Sequence, residues 1–291
     1  VNAGTAGVSG SLSFQSGTTS SGSSGQISFT SGAATNGKGG DISLAVGSGN
    51  TGVGGDISGS AGSSTAATGG SISLSTGAGR DTSSGSVILK TVNAGTNGVS
   101  GALKFSTGTT SSGTSGTVAF QTGTATNGKG GDFSLLVGSG THFSGGDLTM
   151  VAGETTADSS LGGAVEITAG LGSSSTGASG GDIKFSAGQG NSASGGSVSI
   201  STGYGSAKSS GLIKVQTVNA GTNGVSGSLV FTSGTASSGS SGAVSISTGA
   251  ATHGRGGDIA LSIGKSKTDT GGDIVVEAGD SEPLTGGAVS L

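Results

Sequence analysis

The sequence contains no cysteine, no tryptophan, one methionine and a single proline, Pro283, in 291 residues. Without cysteine there is neither a disulfide framework nor a thiolate metal site, and the redox compartment is left open. Aromatic residues make up 3 % of the chain and charged residues 9 %, both far below globular usage. The 11 Lys and Arg are scattered among 15 Asp and Glu, giving a net charge of −4 and no basic stripe of the kind that binds nucleic acid. No apolar run approaches the roughly 20 residues that a membrane span requires. The chain begins at Val1 with neither initiator methionine nor signal peptide, as expected of a processed product or an excerpt of something longer.

What is present is glycine, 67 residues of it, with Ser, Thr, Ala and Asn supplying most of the remainder. Such chains ordinarily read as linker or disorder, because too little apolar surface can be buried to offset chain entropy. Here the aliphatic residues are placed with a strict period, and the charges and prolines typical of disorder are scarce. These features argue for order.

A unit of the form (Gly/Ser)-Gly-x-φ-x-φ-x-x-Gly, with φ apolar, recurs through the whole chain. Taking the second residue of the opening pair as origin, the units start at Gly10, Gly25, Gly40, Gly55 and so on to Gly287, 19 in all, with the last cut short. The spacing is 15 residues almost throughout, with steps of 16, 17 and 18 at four places. Two residues past each origin stands an apolar side chain, and four past it another in every unit but the one carrying Gly59. Strict alternation of this kind is the signature of a strand with one buried face. It predicts a core ladder that includes Leu12 and Phe14, Ile27 and Phe29, Ile42 and Leu44, Ile72 and Leu74, Leu103 and Phe105, and Val118 and Phe120. The register also places Phe14 over Phe29 and Phe105 over Phe120.

Nine residues past the origin all 18 side chains are small, as in Thr19, Ala34, Gly49 and Ser64. That pattern predicts an inward-facing position opposite the aliphatics. The fold expected is therefore all-β: a single-chain β-solenoid of about 19 coils, mostly 15 residues each, with a thin two-layer cross-section. A coil of that size must turn at least twice, and the Asn-Gly pairs at 36–37, 97–98, 127–128 and 223–224 fit tight turns.

A longer period lies above the unit. Val1-Asn2-Ala3-Gly4-Thr5 recurs at residues 92–96 and 218–222, dividing one continuous array into 1–91 with six coils, 92–217 with eight, and a truncated third block, 218–291. Neither terminus carries a polar capping segment, so the array is expected to continue. It would do so either as a window of a longer array or as a subunit whose open ends stack on the next.

Asp stands one past the origin at Asp41, Asp56, Asp132, Asp147, Asp182, Asp258 and Asp273. The pairs Asp41/Asp56, Asp132/Asp147 and Asp258/Asp273 fall on neighbouring units, which makes them weak calcium candidates. Lys38, Lys129 and Arg255, three residues before Asp41, Asp132 and Asp258, offer a simpler neutralisation as solvated surface pairs. No other cofactor is implied. No catalytic constellation emerges: the two histidines, His142 and His253, have no persuasive partners, and serine is too abundant for any triad by spacing to carry meaning. The Ser/Thr clusters at 18–21 and 109–112 are turn residues that could also accept O-linked glycans.

The strings VNAGTNGVSG and NGKGGD, set within Ser/Gly/Thr units, resemble the tandem repeat arrays of very large extracellular surface proteins of microalgae and water moulds. That resemblance implies an extracellular or cell-surface location and a structural role, as a flagellar-hair shaft or wall-associated fibre. The functional expectation is a stiff filament built by end-to-end self-association, with other fibre subunits or glycans as further partners. An adhesin stalk or an ice-binding face, suggested by the serine row Ser13, Ser28, Ser43, Ser58 and Ser73, is the alternative.

Overall fold

The computed structural model describes residues 7–267, 269–282 and 284–290. The first copy of the block-opening motif, at residues 1–5, lies outside them. The chain divides into two compact units, Val1–Gly138 and Ser139–Leu291. That boundary falls inside the second long block of the sequence.

Within each unit the 15-residue period survives as a period of bends. The chain bends at 20–22, 35–37, 50–52 and 65–67, and again at 111–113, 126–128 and 141–143, which is ten to twelve residues past each origin. Farther along, bends at 191–193, 206–208, 237–239 and 252–254 keep the same phase. Each repeat therefore turns once, not twice, and the stretch carrying the two apolar side chains runs unbent. Side chains nine past the origin set these bends. The Thr19 hydroxyl donates to the Ser21 carbonyl at 2.9 Å, Thr110 repeats the contact with Ser112 at 3.1 Å, and the Ser64 hydroxyl accepts from the amides of Ala66 and Ala67. Gly22 and Gly113 close two of the bends at φ of 109° and 112°, a conformation that a side chain would strain.

Past each bend the chain returns toward where the bend began. The amide of an origin glycine donates to the carbonyl of the glycine seven past the preceding origin: Gly70 to Gly62, Gly85 to Gly77, Gly196 to Gly188, Gly211 to Gly203 and Gly287 to Gly279, at 2.8–3.2 Å. Gly163 to Gly153 and Gly181 to Gly170 close the two longer repeats in the same way, both at 2.9 Å. This closure explains why glycine holds the origin. A Cβ at Gly196 would lie 3.3 Å from Ala187 Cβ, and one at Gly211 would lie 3.1 Å from Thr202 Cβ. The crowding neighbour is in each case the residue six past the preceding origin.

The expected all-β architecture is not what the chain adopts. Among the described residues there is no strand and no helix, and no residue is buried. The β-solenoid of 19 coils with a two-layer cross-section is corrected accordingly. Its backbone ladder is missing, because the backbone hydrogen bonds of the described residues are the glycine closures above and the three-residue turns Gly98 to Gly95, Gly224 to Gly221 and Ser160 to Ala157. Leu12, Phe14, Ile27, Phe29, Ile42, Leu44, Ile72, Leu74, Leu103, Phe105, Val118 and Phe120 are all exposed; Leu12, for example, is 83 % exposed and the most covered, Ile27, still 47 %. The chain exposes 28452 Å². A compact monomer of the same 26.5 kDa would expose about 10,700 Å².

The physical reason is supply. Two apolar side chains in fifteen residues, most of the others Gly, Ser or Thr, offer too little transferable surface to order the whole repeat against its own entropy. What coverage exists lies elsewhere. Ser16, Ala152 and Ala169, six past an origin, and Gly172 and Gly205, nine past one, are the half-exposed residues among those described. Small or β-branched residues occupy the inside of the hooks, and the large side chains two and four past the origin stay exposed.

Candidate functional site

The chemistry-bearing residues are distributed with the repeat and are not gathered into a cleft. Among the described residues there is no pocket. His142 Nδ1 lies 3.5 Å from the Thr141 hydroxyl, its neighbour in the chain, and no carboxylate completes a relay. No side-chain hydrogen bond involves His253 among the described residues.

The aspartates sit one past the origin on fully accessible positions. Lys38 Nζ meets Asp41 Oδ2 at 2.8 Å, Arg255 Nη2 meets Asp258 Oδ1 at 2.7 Å, and Lys129 Nζ spans both carboxylate oxygens of Asp132, at 2.7 and 2.8 Å. Asp182 pairs with Lys184 at 3.2 Å. The three-residue spacing thus does produce ion pairs, one in each long block. Their side chains are 70–82 % exposed, so each contributes about 0.5 kcal/mol or less. Asp56, Asp147 and Asp273, the other members of the neighbouring pairs, make no ion pair among the described residues. No group of three or more His, Cys, Asp or Glu is placed to hold a metal ion among the described residues. Calcium needs six to eight oxygen ligands, and the geometry brings no such set together.

The apolar positions do come together, although not in a core. Phe14 and Phe29 meet edge to face, with centroids 6.2 Å apart and an interplanar angle of 87°. Phe105 and Phe120 repeat the arrangement at 5.9 Å and 84°. Phe133 extends the second group, its ring 6.4 Å from that of Phe120 and tilted by 35°. At Phe14/Phe29 and Phe105/Phe120 neighbouring repeats therefore meet at the positions that the register names, as edge-on pairs and not as stacks. These rings stay 57–68 % exposed.

Two features were missed in the sequence. The residue six past each origin, which the returning glycine touches, is always small or β-branched, as in Ser16, Val46, Thr76, Thr107, Ala152 and Ile263. That restriction was available as a signal. The small residues nine past the origin, in turn, answer to their own bend and not to an opposing aliphatic wall: a Cβ at Gly140 would come 2.7 Å from the Ser144 carbonyl oxygen, and one at Gly205 would come 2.5 Å from that of Ser209.

No helix of the described residues is long and apolar enough to cross a membrane. Comparison with protein-family models, with curated proteins and with solved structures finds no match for the chain.

Proposed function

We propose that the chain is a structural repeat segment of an extracellular or cell-surface fibre, built by association of copies of itself. The observation that carries this reading is the exposure of an apolar pair by nearly every repeat, with no pocket to hold a small molecule among the described residues. A surface so large and so repetitive suits many weak, identical contacts, whose combined strength grows with the number engaged. Charged residues make up only 9 % of the chain, which keeps repulsion between copies small. Electron microscopy of the native material, with an antibody raised against the chain, tests the proposal. Label along filaments of uniform thickness outside the cell is the expected result; label confined to the cell interior and on no filament overturns it.

A further inference from the structure

Four Asn-Gly pairs lie in the chain, all exposed, and their surroundings are of two kinds. Asn97 and Asn223 stand in the turns where the block-opening motif ends. There the Gly98 amide donates to the Gly95 carbonyl and the Gly224 amide to the Gly221 carbonyl, both at 3.2 Å. A Cβ on Gly98 would lie 3.2 Å from Ala94 Cβ, and one on Gly224 would lie 3.4 Å from Ala220 Cβ. Asn36 and Asn127 stand instead in the bends at 35–37 and 126–128, two residues before Lys38 and Lys129. Among the described residues the Gly37 and Gly128 amides donate to no backbone carbonyl. The space around them is open: a Cβ on Gly37 would meet nothing within 4 Å, and one on Gly128 only Ala125 Cβ at 4.0 Å.

We infer that Asn36 and Asn127 are sites of spontaneous covalent modification, converting to aspartate and isoaspartate ahead of Asn97 and Asn223. In the first step the Gly37 amide nitrogen, having given up its proton, attacks Asn36 Cγ. The new N–C bond forms, the bond from Cγ to the side-chain nitrogen breaks, and that nitrogen leaves as ammonia with the displaced proton. In the second step water adds to one of the two carbonyls of the resulting five-membered imide. Ring opening leaves aspartate, or isoaspartate with a main chain longer by one methylene. Glycine after the asparagine favours the attack because no Cβ obstructs it and its backbone turns freely. At Gly98 and Gly224 the same nitrogen must first give up its turn hydrogen bond. Each conversion places a negative charge two residues before Lys38 or Lys129, where it competes for the ammonium now held by Asp41 or Asp132. The third block has His253-Gly254-Arg255 at the corresponding place, with no side-chain amide to lose. The long blocks therefore age unequally.

The experiment is incubation of the full chain in mildly alkaline buffer, with trypsin digestion and tandem mass spectrometry of timed samples. Cleavage after Lys38, Lys90, Lys104, Lys129, Lys214 and Arg255 puts each Asn-Gly pair on its own peptide. Fragment ions then assign the mass gain of amide-to-acid conversion to one asparagine. A parallel incubation in guanidinium chloride removes the turns and keeps the sequence. In buffer, Asn36 and Asn127 should convert about two- to tenfold faster than Asn97 and Asn223, the factor that one turn hydrogen bond is worth. In denaturant the four rates should converge. Equal rates in buffer, the reverse order, or no conversion at any of the four overturns the inference. So does an advantage that persists unchanged in denaturant, because flanking residues and not the turns would then set the rates.

Discussion

Phe105 and Phe120, fifteen residues apart in the chain, meet edge to face with ring centroids 5.9 Å apart. Their rings remain 57 % and 63 % exposed, so the pair is a surface contact between neighbouring repeats and not part of an interior. It shows how this chain uses its period: repeats are placed beside one another, but nothing closes over them.

Replacing Phe105 by alanine should therefore release Phe120 without unfolding anything else. The Phe120 ring protons should lose the part of their shift due to the edge-on Phe105 and keep the part due to Phe133 in proton NMR, with the signals of Phe14 and Phe29 unchanged. A shift spreading to the Phe14 pair would mean that the repeats are coupled over a longer range than these contacts allow.

No described residue is buried, so there is no cooperative core among them to melt. Calorimetry of the dilute monomer should give no heat-absorption peak. Hydrogen exchange should be fast throughout, with modest slowing at the closing amides of Gly70, Gly85, Gly163, Gly181, Gly196, Gly211 and Gly287 and, less, at the turn amides of Gly98, Ser160 and Gly224.

Those closures depend on the missing side chain of the origin glycine. Gly196→Ala brings a methyl group to within 3.3 Å of Ala187 Cβ and the Gly188 amide nitrogen, whereas Gly203→Ala meets nothing within 4 Å. The first substitution should abolish the slowing at residue 196. The second should leave it in place, at a local stabilisation of about 0.4–1 kcal/mol wherever alanine fits the backbone.

The period, the phase of the bends, the meeting of Phe14 with Phe29 and the pairing of Lys38 with Asp41 were all legible in the sequence, because each follows from spacing alone. Burial was not. Alternation says which side chains would share a face of a strand; it does not say whether another layer covers that face. The reading of Gly49, Gly79 and Gly140 as the opposing layer failed for a related reason. A position restricted to small residues has backbone nearby, and here that backbone is the residue's own bend three or four positions on.

Calcium should find no defined site. Lys38, Lys129 and Arg255 already occupy Asp41, Asp132 and Asp258, and Asp56, Asp147 and Asp273 belong to no group of three or more possible ligands among the described residues. Titration calorimetry should show no saturable binding tighter than about 1 mM, the weak end of extracellular calcium modules. A stoichiometric site at micromolar concentration would show that the aspartates of neighbouring repeats converge.

The central claim is that the apolar surface of the repeats is completed by other copies of the chain, and hydrodynamic mass across a dilution series tests it most directly. The account predicts a mass that climbs from 26.5 kDa into an open-ended series of larger species as concentration rises, with filaments visible at the upper end. A single species at 26.5 kDa at every concentration, with no filaments, would contradict it.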